Sequence, residues 1–192
     1  MAGEQLKSSS ITGLDAAIVS PPQQGMGSPS ESRRVSDYAL ATTVGLASTS
    51  STYRLIRVPT IAVLKTLTLV ADELDSATSL LVDVGAYYSD SPNNDGTSPA
   101  NSGALISANC FAAAVAVGHG AAAQGVRVNV LTAFTANELN MTLFNALGIE
   151  ITPEGSSDNG DPGGYIDVVV AVHTAAGTAV SGNIYIEAEY CI

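Results

Sequence analysis

A chain of 192 residues has room for one domain and an appendage, and hardly for two. Its formal net charge is −11, from seven Lys and Arg against eighteen Asp and Glu, and no Lys or Arg follows Arg127. Nucleic acid and anionic phospholipid both demand a cationic footprint, so neither is a partner. Charged residues make up only 13% of the chain, where soluble domains carry about 25%. Ala, Gly, Ser and Thr fill the difference, and a small, neutral surface suits flat contact with other protein.

Residues 1–50 read as an extended arm. Ser20-Pro21-Pro22-Gln23-Gln24-Gly25-Met26-Gly27-Ser28-Pro29-Ser30 breaks both helix and central strand, and Ala47–Thr52 is a second polar tract. Such a segment cannot bury enough apolar surface to offset its chain entropy, so its order must come from contacts outside its own core. Its apolar anchors are Leu6, Ile11, Leu14, Ile18, Val35, Tyr38 and Leu40. Its paired cations, Arg33 and Arg34, are suited to carboxylates on a neighbouring protein. Met1–Ser10 holds no apolar stretch of the kind that marks a secretory leader, which points to synthesis in a cytoplasm.

Residues 51–192 read as the domain, and their pattern is strand-like. In 60–70, Ile61, Val63, Leu67 and Leu69 share one face, interrupted by Lys65. In 79–88, Leu80, Val82, Val84, Ala86 and Tyr88 share one face. Val126, Val128 and Val130 alternate with polar residues. Ile166, Val168, Val170 and Val172 alternate with Asp167 and Ala171, and Ile184, Ile186, Ala188 and Tyr190 with Tyr185, Glu187 and Glu189. Period-two alternation with one wet face marks antiparallel sheets. Thr135-Ala136-Asn137-Glu138 is a capping box, followed by Leu139, Leu143 and Leu147 and by Gly148 at a C′ position, which predicts one helix. A second helix within 103–117 is weakly patterned, and Ser107, Asn109, Gly118, His119 and Gly120 interrupt 104–123 too often for a membrane span. The expected fold is all-β: an antiparallel β-sandwich of jelly-roll or Greek-key type with one or two short helices.

Sites of chemistry are sparse. His119 and His173 have no Cys or carboxylate at ligand spacing, so both read as ordinary surface or loop histidines. Two loops gather hard oxygen ligands and are weak calcium candidates: Asp90, Asn93 and Asp95 in one, Asp158 and Asp161 in the other. The first lacks the bidentate Glu of a calcium loop, with Ser102 in its place, and the second is rich in Asn-Gly and Asp-Pro-Gly turn chemistry. No nucleophile elbow, zinc-protease helix, dinucleotide loop or P-loop occurs, so the chain reads as a non-enzyme without a cofactor. Cys110 and Cys191 are the only cysteines; two buried free thiols are expected, a single bridge being the alternative.

Val58-Pro59, Lys65 to Val70, and the run Asp72-Glu73-Leu74-Asp75-Ser76-Ala77-Thr78-Ser79-Leu80-Leu81-Val82-Asp83-Val84-Gly85-Ala86-Tyr87 resemble virion proteins of tailed bacteriophages. In those proteins a Leu-Asp-Ser/Thr-Gly/Ala turn leads into a Val-Asp-Val-Gly-type strand. Leu143-Phe144-Asn145-Ala146-Leu147-Gly148 looks like their short helix, and Gly182–Tyr190 like their closing strand. The resemblance spans roughly residues 58–192 and departs in the 90–101 insertion. It implies a virion structural protein of head decoration or cement type. Its partners would be the major capsid protein or other virion proteins, and its own copies in a homo-oligomer, a trimer among the forms considered. A competing reading is a receptor- or glycan-binding module of a virion tail or cell surface. The aromatic content of 5%, with no Trp, counts against sugar stacking.

Overall fold

The computed structural model describes residues 5–8, 11–12, 32–89, 103–120, 124–149 and 164–192. Nine strands build two sheets: β1 Gln5–Lys7, β2 Ser32–Ala41, β3 Thr52–Pro59, β4 Val63–Ala71, β5 Leu81–Tyr88, β6 Leu105–Ala116, β7 Val128–Asn129, β8 Tyr165–Thr174 and β9 Gly182–Cys191. One sheet has the order β1-β3-β8-β5-β6 and the other β2-β9-β4-β7. Every pairing is antiparallel except the short β1–β3 contact. The chain changes sheet at nearly every connection, so the two layers share one core and the expected all-β sandwich is the fold.

The inward faces match the sequence pattern closely in β5, β8 and β9. Leu80, Val82, Val84 and Ala86, then Ile166, Val168 and Val170, then Ile184, Ile186, Ala188 and Tyr190 are all fully buried. In β4 the reading needs correction. A register shift between Leu64 and Thr66 makes exposed Lys65 the extra residue of a bulge. Parity inverts there, so Ala62 and Leu64 pack inward before it and Leu67, Leu69 and Ala71 after it, while Ile61 is 50% exposed.

The expected arm is also corrected over 32–50. β2 pairs with β9 over all ten of its residues without a register shift. Its inward positions, Val35, Ala39 and Ala41, meet the core. The short helix α1, Thr43–Leu46, follows, capped by the Thr42 hydroxyl accepting from the Gly45 amide at 3.2 Å, and Leu46 is buried. Farther upstream, β1 adds to β3, the Ser8 hydroxyl donates to the Leu55 carbonyl at 2.5 Å, and Ile11 is buried. Composition over a wide window averages Pro, Gly and Ser together with β2 and so hides its ten-residue alternation. Leu14, Ile18 and the Pro/Gly tract 20–30 lie outside the described residues.

Both helix expectations change. Residues 105–116 form strand β6 rather than a second helix. Pairing with β5 and burial of Phe111 and Ala112 override the helical propensity of its alanines. The predicted 135–148 helix is split into a 3-10 turn, Glu138–Asn140, and α2, Leu143–Leu147. Its end signals are nevertheless correct. The Thr135 amide donates to Glu138 Oε2 at 2.7 Å, and Gly148 closes α2 at φ 63°. The interruption has a tertiary cause: the Leu143 and Phe144 amides donate to the carbonyls of Ala62 and Thr60, at 2.8 and 3.0 Å, instead of continuing the turn above.

Candidate interaction surfaces

The outward face of the four-stranded sheet is built by β2, β9 and β4 in register. Arg34 lies opposite Glu189, Ser36 opposite Glu187, Tyr38 opposite Tyr185 and Leu40 opposite Asn183. At one end charges neutralise each other. Arg34 Nε is 3.5 Å from Glu187 and its Nη2 3.6 Å from Glu189, while Arg127 reaches Glu187 at 3.0 Å. The Arg127 hydrogen bond, with the Arg34 and Arg127 charges, holds the Glu187 carboxyl below the usual range. At the other end Tyr38, Leu40 and Val44 are each more than half exposed, with Val180 37% exposed. Ser181 Oγ accepts from the Thr43 amide and joins the Val180 loop to α1 at this end. The result is a neutral face with an uncovered apolar end, the surface type that the composition anticipated.

Of the residues read as partner contacts, Arg34, Tyr38 and Leu40 point outward, whereas Val35 and Ile11 are spent on the chain's own core. Leu6 is also packed against that core. Arg34 meets the Glu187 and Glu189 carboxylates of its own sheet. Arg33 sits on the inward parity, half-buried, close enough to Tyr190 for its charge to offset part of the rise that burial imposes on that phenol. The calcium candidates Asp90, Asn93, Asp95, Asp158 and Asp161 lie outside the described residues.

The five-stranded sheet buries a polar cluster that the sequence pattern did not single out. Asp167, expected on a wet face, is fully buried. The reason is its place on β8, between β3 and β5, under a covered surface. The backbone of Ser107 and Ala108 in β6 lies so close over Gly85 that any Cβ there would collide. Arg57 grips Asp167 through Nε at 2.6 Å and Nη2 at 3.0 Å. Arg54 lies 3.7 Å from the same carboxylate, donates to the Gly103 carbonyl at 2.6 Å and stacks 4.6 Å over the Tyr87 ring. The bulge between Arg54 and Ile56 puts both arginines on one face, which a three-residue spacing would otherwise forbid. Two arginines inside an apolar strand of a cation-poor chain were the available signal.

Both histidines are tied to structure. His119 Nε2 donates to the Leu80 carbonyl, and His173 Nδ1 lies 3.0 Å from Asp83 Oδ2. Among the described residues no cluster of three His, Cys, Asp or Glu could hold a metal ion, and no helix is long and apolar enough to cross a membrane. Cys110 and Cys191 are both free thiols, half-buried rather than fully buried as expected. Burial pushes the Cys110 thiol up to about 12. The thiolate is the reactive form. Iodoacetamide at pH 8 should therefore leave Cys110 unmodified in the native protein and label it in urea; rapid native labelling at Cys110, mapped by peptide mass, would refute this.

No protein-family model matches the chain, and no curated protein matches it in sequence. Solved structures do. A chain of the capsid of Ralstonia phage GP4 matches with 18% identity, 97% coverage of both chains and a TM-score of 0.57. A chain of the cyanophage Pam1 capsid asymmetric unit matches with 14% identity, 91% of this chain and 97% of that one, at a TM-score of 0.50. This chain shares their fold. The likeness takes in nearly the whole sequence.

Proposed function

We propose that this chain is a non-enzymatic structural protein of a bacteriophage virion, a capsid decoration or cement protein that stabilises the shell by protein–protein contact. The observation that carries the reading is a nearly full-length fold match to chains of two phage capsids, at a sequence identity where only the architecture persists. The internally neutralised face of the four-stranded sheet, with Tyr38 and Leu40 uncovered, supports it, because a neutral apolar patch binds protein without the electrostatic cost that a net charge of −11 would otherwise impose. The partner is the major capsid protein or another virion protein, and the site of action is the particle. Contacts that exist only in the assembled shell stabilise that shell by linkage.

Electron microscopy of the particle that carries this protein tests the reading. Density for the two-sheet sandwich on the capsid exterior, with the Tyr38 and Leu40 face against the shell, is expected. Density confined to a tail tip would refute it. The Tyr38→Asp/Leu40→Asp variant changes only exposed side chains, so it should melt like the parent and yet lower capsid occupancy about tenfold or more.

A further inference from the structure

A sandwich of two open sheets has four edges, and three of them are blunted here. β1 is three residues long and β7 two. β6 is long, but its pairing with β5 shifts register three times and Ala114 sits at φ 51°. Short edges and bulges are standard defences against strand addition. β2 has neither: it is ten residues long, regular, free of Pro and Lys, and among the described residues no strand lies beyond it.

The direction of its open hydrogen-bonding groups can be read from one contact. The Tyr38 amide donates to the Asp37 side chain at 2.8 Å, so it is turned away from β9 and toward the open edge. Backbone groups alternate along a strand, so Arg34, Ser36, Tyr38 and Leu40 present N–H and C=O on that edge, and the odd-numbered residues face β9.

We propose that β2 pairs with β2 of a second copy of this chain, antiparallel about a two-fold axis through Val35. Charge selects that register. Side chains can meet across an antiparallel pair only on the same face, which restricts the axis to a residue position. An axis at Arg33, Arg34 or Asp37 would put identical charges opposite each other, and an axis at Ser36 would put Arg33 opposite Ala39. With the axis at Val35, Arg33 meets Asp37 of the second copy, and the pair occurs twice by symmetry. These are non-hydrogen-bonded positions, where opposite Cβ atoms lie closest. Arg34 and Ser36 then exchange backbone hydrogen bonds across the axis, as do Ser32 and Tyr38. Asp37 leaves the Tyr38 amide for Arg33 of the second copy, and that amide takes up a carbonyl instead. The four-stranded sheets fuse into one eight-stranded sheet with a single continuous outer face, and the assembly unit is a dimer rather than a trimer.

Sedimentation velocity of the full chain tests this in solution, without reference to the particle. A dimer is expected at about 20 μM. Asp37→Arg, which sets cation against cation, should weaken it about 100-fold, and the charge-exchanged Arg33→Asp/Asp37→Arg double variant should restore it. Ser36→Pro removes an edge amide at an exposed position and should yield a folded monomer whose far-UV circular dichroism spectrum matches the parent. A parent protein that sediments as a monomer or a trimer overturns the proposal. So does a dimer indifferent to Asp37→Arg and Ser36→Pro, or a double variant that stays monomeric although folded.

Discussion

Val170→Asp is expected to destabilise the protein by about 4 kcal/mol or more, enough to consume most of the stability of an ordinary domain. Val170 sits on the central strand β8, fully buried, with Tyr53 of β3 on one side and Val84 of β5 on the other, both themselves fully buried. Both of its register partners are uncharged. The Arg54–Arg57 pair lies on the opposite side of the same sheet, where it already serves Asp167. A carboxylate at 170 must therefore ionise unpaired or take up a proton, and either costs free energy. Val170→Ala, which only removes volume, should cost about 2 kcal/mol. Urea denaturation of the three proteins checks the order. Equal midpoints for Val170→Asp and the parent would mean that residue 170 does not face the core.

The contrast between Val170 and Asp167 shows how far the sequence could be read. Alternation gave the correct inward face of β5, β8 and β9, because a period of two survives wherever pairing is regular. It failed at β4, where the bulge at Lys65 inverts parity, since no local signal separates a bulge from an interrupted pattern. It also failed for Asp167, because its surroundings are supplied by Arg54 and Arg57 of β3, more than a hundred residues away. Helix ends were legible from Thr135, Glu138 and Gly148. The break between them was not, since it depends on carbonyls of Thr60 and Ala62 some eighty residues away. The pairing of 32–41 was not legible because β2 is held by β9, the last strand described, and a local segment does not disclose such a partner. The outward placement of Arg34, Tyr38 and Leu40 follows from the parity of one strand.

Asp75 is expected to be the carboxylate on which the loop end of the sandwich depends, and its loss should cost about 3 kcal/mol. It is fully buried between β4 and β5. Its Oδ1 accepts from the Ala77 and Thr178 amides at 3.0 and 2.9 Å. Its Oδ2 accepts from the Ser79, Leu80 and Gly177 amides at 2.7, 2.8 and 3.3 Å, and from the Ser79 hydroxyl at 3.0 Å. One side chain thus ties the turn before β5 to the loop between β8 and β9. Burial alone would raise its pKa, but the amides of Thr178, Ala77, Leu80 and Ser79 outweigh that and hold the carboxyl well below the usual range. A depressed folded-state value stabilises the fold fully above the unfolded value of about 3.9, and the contribution shrinks as pH falls below it. Asp75→Asn keeps the shape but turns an amide N–H₂ toward amide donors, so it should destabilise at pH 7 and be nearly indifferent to acid at this site. The stability gap between parent and Asp75→Asn, measured by urea denaturation at pH 7, 5, 3 and 2, should stay constant down to about pH 4 and narrow below it. A gap that holds its size to pH 2 would show that the charge of Asp75 does not hold the two loops together.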